Sequence, residues 1–303
     1  MKKTIYTMLA SVTLTLAACN SQPVAEQTPV KKEIGVQLYS VRELIGNPEL
    51  FAKNQATVLP QLAQMGYTAI ETANYKDGKL YGMTPADFKA CIEKAGLKVL
   101  STHTTRGLSA EELKAGAPSE ETMKWWDECI AAHKAAGMKY IVTPSQRFPE
   151  TMKDLQTWCD YHNAIGKKCT EAGLKYGYHN HSFELKKVED KAVMLEYMIE
   201  NTDPQHVFFE MDVYWMMMGQ ASPVDFFNKY PGRFKLLHIK DRKEIGQSGM
   251  VGFDAIFKNA ELAGVENIVV EVEGLKGEAL MPGMVQSAEY LLDADFVEPT
   301  YTK

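Results

Sequence analysis

No run of about twenty apolar residues occurs anywhere in this chain, so no segment of it is expected to cross a bilayer as a helix. An excess of basic residues is missing too. There are 33 Lys and Arg against 39 Asp and Glu, a formal net charge of −6 with the signs interspersed. Without a basic stripe there is nothing to hold a phosphate backbone, which excludes nucleic acid and favours a small soluble ligand. Cysteine is scarce: beyond Cys19, only Cys91, Cys129, Cys159 and Cys169 remain, none with the paired spacing of a thiolate metal site. Cys159 and Cys169 fall on one expected helix, about 15 Å apart by helical rise and out of disulfide reach. Buried thiols are therefore the expected state. The chain also lacks the glycine-rich turn of a dinucleotide-binding sheet. Ser40-Val41-Arg42-Glu43 follows the first expected strand, which counts against an open doubly wound sheet.

What is present begins with a leader. Lys2 and Lys3 precede an apolar run from Ile5 to Leu16, and Leu16-Ala17-Ala18-Cys19 has the form of a lipobox. Residues 1–18 are expected to be a lipoprotein signal peptide, with Cys19 the lipidated N-terminus. Residues 19–33 are polar, contain Pro23 and Pro29, and suit a flexible tether. The protein is therefore expected in the cell envelope, facing the periplasm, with the membrane as a partner through the Cys19 lipid. Residues 34–303 are long enough for one large domain.

Within that domain, short β-rich runs alternate with helical patterns eight times. Strands are predicted at 34–39, 69–72, 98–103, 140–144, 175–179, 207–212, 235–240 and 267–273, with helices such as 48–65, 85–94, 119–136, 151–172 and 284–292 between them. Several helices run into glycine (Gly66, Gly96, Gly137, Gly173, Gly264), the expected left-handed cap. Eight such units predict a closed (β/α)8 TIM barrel.

In a barrel, function collects where the strands end. The fifth strand runs into His179-Asn180-His181-Ser182-Phe183-Glu184, the sixth ends Glu210-Met211-Asp212, the seventh His238-Ile239-Lys240-Asp241, and the eighth carries Glu271-Val272-Glu273. Residues two apart share a face. If Met211, Ile239 and Val272 pack outward, the His and carboxylate side chains turn into the lumen. One such residue alone is more often structural than functional. Several carboxylates facing one lumen, however, need cations or shared protons to be tolerated. A mixed nitrogen and oxygen set points to one divalent ion of the Mn, Zn, Co or Fe kind. Gln37, Tyr39, Glu71 and His103 end the first three strands and are expected to contact substrate hydroxyls or to close the barrel floor. Lys240 either holds a substrate oxygen or pairs with Glu210 or Asp241. Trp215 offers an apolar wall for a sugar ring, while Trp125, Trp126 and Met216–Met218 read as packing.

The segments "GVQLYSVRE", "YHNHSFEL", "MDVYW", "LLHIKD" and "VVEVEG" resemble the sugar phosphate isomerase/epimerase family of xylose isomerase-like barrels, over essentially the whole domain. In that family Glu, Asp, His and Glu from strands five to eight hold the metal. The resemblance assigns Asp212, His238 and Glu271 to the last three places. The fifth-strand Glu is absent, which leaves the first ligand open among His179, His181 and Glu184, with His179 at the aligned position. His181 then stands free as a catalytic acid/base, and Glu184 as a substrate contact or second catalytic base. The implied chemistry is removal of a proton beside a carbonyl. It leads either to isomerisation or epimerisation or, as in relatives that cleave 3-keto-glycosides, to β-elimination. An extracytoplasmic setting favours the glycoside lyase. A non-catalytic sugar-binding lipoprotein is the reading from a different class; an open metal position would be idle there.

Overall fold

The computed structural model describes residues 31–302. The signal peptide, Cys19 and most of the expected tether lie outside the described residues. Eight strands form a closed parallel barrel: β1 Gly35–Gln37, β2 Ala69–Thr72, β3 Lys98–His103, β4 Tyr140–Thr143, β5 Lys175–His179, β6 Val207–Asp212, β7 Phe234–Lys240 and β8 Asn267–Glu271. They follow sequence order round the barrel, and β8 pairs with β1 to close it. Helices follow the strands on the outside: α1 Pro48–Gln64, α2 Pro85–Lys94, α3 Glu120–Ala135, α4 Met152–Glu171, α5 Met194–Glu200, α6 Pro223–Lys229, α7 Phe253–Lys258 and α8 Leu280–Asp293. Among the described residues no helix is long and apolar enough to cross a membrane.

Local chemistry sets these boundaries. Asn47, Thr84, Ser119, Thr151 and Ser222 each turn a side-chain oxygen onto a free N–H at the start of a helix, and proline sits in the first turn of α1, α2 and α6. The expected glycine caps have positive φ throughout, from 79° at Gly137 to 104° at Gly66. β1 is shorter than expected, because the Gln37 side chain accepts from the Tyr39 N–H and bends the chain into a 3-10 turn over Leu38–Val41. Lys32 donates to the carbonyls of Leu291 and Ala294, and Glu33 pairs with Lys98, so the chain is tied to the barrel before β1 begins.

The alternation holds. Met211, Ile239 and Val272 are buried in the layer between barrel and helices. The lumen has its own apolar plug of Tyr140, Val142, Phe208 and Leu236. Gly177 makes room for it: a Cβ there would meet the Phe208 ring at 2.5 Å. Leu236, His238 and Lys240 lie on one face of β7, and Phe208, Glu210 and Asp212 on one face of β6. The lumen therefore changes from apolar to polar along the strands. Cys91, Cys129, Cys159 and Cys169 are all free thiols.

Candidate metal centre and active site

Above the plug the lumen holds two linked groups of polar side chains. The inner one joins Gln37, Glu71, His103, His179, Glu210 and the Nε2 edge of His238. Gln37 Nε2 donates to Glu71 Oε1 at 2.8 Å, and His238 Nε2 lies 2.7 Å from the same oxygen. His103 Nε2 is 2.6 Å from Glu210 Oε2 and 3.1 Å from Glu71 Oε1; His179 Nδ1 is 3.1 Å from Glu210 Oε2. The outer group is Asp212, the Nδ1 edge of His238, and Glu271, whose ligand atoms all lie within 4.8 Å of one another.

Asp212 starts a short helix, Val213–Met218. Its Oδ1 accepts from the Trp215 N–H at 2.8 Å, and its Oδ2 is buried without a partner. Asn180 ties this residue to β5, accepting from the Asp212 N–H at 3.2 Å. His238 Nδ1 is likewise buried and bare. The ring is fixed by its other edge, where the bond to Glu71 leaves Nδ1 as the free donor toward a cation. Glu271 is oriented by its neighbours: Ser40 Oγ accepts from the Val272 N–H at 3.0 Å, and Lys240 donates to Glu271 Oε2 at 2.7 Å and also to Glu273. Two bare ligand atoms and a carboxylate from three adjacent strands fit a divalent cation with an open position.

Electrostatics follow the crowding. Burial works against the Glu71 carboxylate, yet His103 and His238 hold it down to about 2. Burial opposes the His103 and His238 imidazolium forms, but the facing carboxylates raise both. Burial, joined by His238 and His103, pushes His179 well below its usual range. Burial lifts Asp212 to about 7 against the pull of Lys240 and His238. Burial likewise takes His181 down to about 4.

A cavity of about 310 Å³ opens above these groups, lined by Tyr39, His103, His179, His181, Glu271 and Glu273 among others. His181 therefore stands at the pocket, its ring 5.7 Å from that of Trp215; the Lys240 ammonium lies 5.5 Å from the Trp215 ring, and neither Lys240 nor Trp215 lines the cavity itself. Glu184, the other expected catalytic residue, is turned away. It accepts from Tyr178 OH at 2.8 Å and from the His181 N–H at 2.9 Å, so it braces the His181 loop. Gln37 and Glu71 have no exposed surface and lie beneath the pocket, where they orient other side chains. Lys240 pairs with Glu271 and Glu273 rather than with Glu210 or Asp241. The Asp241 carboxylate is taken up by the Arg242, Gly246 and Ser248 N–H groups. His179 sides with the inner group through its Nδ1 contact to Glu210. Glu210 was absent from the expected site residues, although its place two residues before Asp212 put it on the lumen face. Glu273 shares that history through Glu271.

The profile of the xylose isomerase-like TIM barrel matches residues 59–294. The chain belongs to that family. Among solved structures of xylose isomerase-like relatives, a sugar phosphate isomerase/epimerase from Parabacteroides distasonis ATCC 8503 is 35% identical. That similarity covers 92% of this chain and 99% of the other, with a TM-score of 0.79. A 3-keto-D-glucoside 4-epimerase from E. coli shares the fold at 20% identity, covering 87% of this chain and 100% of its own, with a TM-score of 0.63. The inosose dehydratase of Geobacillus kaustophilus (strain HTA426) is 26% identical over 208 residues. This chain spans 62% of that relative's length, and 62% of this chain takes part. This xylose isomerase-like chain thus stands among sugar isomerases, epimerases and dehydratases.

Proposed function

We propose that this protein is a divalent-metal-dependent enzyme that removes a proton beside a carbonyl of a sugar, and that it acts as a β-eliminating lyase on 3-keto-glycosides. The observation that carries the reading is the convergence of Asp212, His238 and Glu271 with two bare, buried ligand atoms, directly under a pocket lined by His181. A divalent ion held there supplies Lewis-acid polarisation of a carbonyl, which acidifies the neighbouring C–H. His181, neutral above about pH 4 because burial disfavours its charge, accepts the C2 proton of a 3-keto-glycoside. The C2 electrons form the C1–C2 double bond as the C1–O bond breaks, and the imidazolium returns its proton to the departing aglycone oxygen. Lys240, between Glu271 and Glu273, orients a substrate hydroxyl or carbonyl. The Trp215 ring offers an apolar wall for the sugar ring.

Sugar isomerisation or epimerisation is the second reading, favoured by the 35% identical neighbour. Against it stands His179 at the fifth-strand position where the family carries Glu. One flanking carboxylate is thereby lost, while His181 remains to protonate a leaving oxygen. We further propose that the protein works at the cell envelope, anchored by lipid at Cys19. The test is incubation of metal-loaded protein with a panel of glycosides and their 3-keto forms. Aglycone release from the keto forms alone supports the lyase. Conversion to an isomer with the glycosidic bond intact moves the assignment to the second reading, and no turnover of any of them rejects both.

A further inference from the structure

Five carboxylates face the lumen of this barrel at or below the pocket: Glu71, Glu210, Asp212, Glu271 and Glu273. Lys240 is the one lysine among them. An ion held by Asp212, His238 and Glu271 occupies the Nδ1 edge of His238, which keeps that imidazole neutral and leaves its Nε2 proton to Glu71. That leaves the inner group, where Glu71 and Glu210 have no exposed surface and face His103 and His179. Buried carboxylates in that position need shared protons or a cation.

The inner group has the chemistry to hold it. We propose that His103, His179 and Glu210 form a second divalent-cation site, beneath the one assigned above and distinct from it in every ligand. The donors come from three neighbouring regions of the barrel, the ends of β3 and β5 and the middle of β6. One ring nitrogen each from His103 and His179 and a Glu210 carboxylate oxygen lie within 4.8 Å of one another. Two imidazoles and a carboxylate are a donor set that zinc-like ions accept, with metal–ligand bonds of about 2.0–2.2 Å. Tetrahedral bonds of that length place donors about 3.4 Å apart. The separations here are 2.6 Å for His103 Nε2 and 3.1 Å for His179 Nδ1, both to Glu210 Oε2. The ligands need to part by less than 1 Å to admit an ion.

An independent observation points the same way. Glu210 Oε1 is fully buried with no hydrogen-bond partner, although the residue sits among imidazoles. An ion has a way in, because His103 and His179 both line the cavity. Glu71 holds the two sites together without ligating either: it accepts from Gln37 and from His238, and so keeps His238 turned toward the outer ion.

The proposal adds a second ion to the reading in which Asp212, His238 and Glu271 hold the first, and the experiment separates the two. The full-length protein is stripped with chelator and dialysed against Co2+. Bound cobalt per chain is measured by elemental analysis, alongside the visible ligand-field spectrum and far-UV circular dichroism. Two cobalt ions per chain are expected in the wild type. One is expected in Glu210→Gln and in His103→Gln, and a different one in Asp212→Asn, so the two classes of variant differ in spectrum. His103→Gln serves if Glu210→Gln fails to fold, since His103 borders the pocket. One cobalt that Glu210→Gln and His103→Gln both retain, and Asp212→Asn loses, would overturn the inner site. One cobalt with the opposite response would keep the inner site and remove the outer assignment instead.

Discussion

His238 meets a different group at each ring nitrogen: Glu71 at Nε2, and the bare side of Asp212 and Glu271 at Nδ1. His238→Ala should therefore lower bound metal by one ion per chain in elemental analysis while leaving the helix signal intact; unchanged content would show the centre to be elsewhere. Glu184 was expected in proton transfer because it follows the fifth strand closely. Spacing in a sequence cannot reveal that Tyr178 OH and the His181 N–H capture its carboxylate. Burial raises its pKa from the usual 4.5 to about 7. The folded protein then keeps a proton that the unfolded chain has lost. The stabilisation is complete below about pH 4.5 and disappears as pH rises through 7. Replacing Glu184 with Gln should remove this slope, changing the stability difference from wild type by about 3 kcal/mol across that window. Urea unfolding at several pH values measures it, and parallel pH curves for the two proteins would refute the assignment.

At the scale of elements, the eight strands were legible because alternation, glycine caps and capping side chains all act locally. The ends were less so. Gln37 bending the chain after β1 is a side-chain event, and the eighth strand stops at Glu271 rather than Glu273. The division of the lumen polar residues into two groups was not legible either. It depends on how far along its strand each residue lies relative to its neighbours, as where Asp212 pairs with His238 and Glu210 with Leu236 on one side and with His179 on the other. The same registers place Gly177 against the Phe208 ring. Gly177→Ala should cost about 1–3 kcal/mol through overpacking, read as a lower urea midpoint with an unchanged slope. A variant as stable as wild type would mean the plug is looser than described.

Across the whole molecule, polarity is stratified: an apolar plug, a buried layer of imidazoles and carboxylates, and a pocket above. In the proposed function, that stratification makes a cation and a proton acceptor neighbours. The leader adds a separate expectation. Mature protein from the native host should begin at a lipidated Cys19, visible as a diacylglycerol-sized increase in intact mass; an unmodified N-terminus would remove the anchor from the proposal. The central claim concerns the division of labour between the ion ligands and His181, and one paired measurement addresses it. Aglycone release from a 3-keto-glycoside and metal content are determined on the same preparation of His181→Ala. Metal content should equal wild type while turnover falls by about 10²–10⁴, the range for loss of a general acid–base. Wild-type turnover in that fully loaded variant would contradict the account.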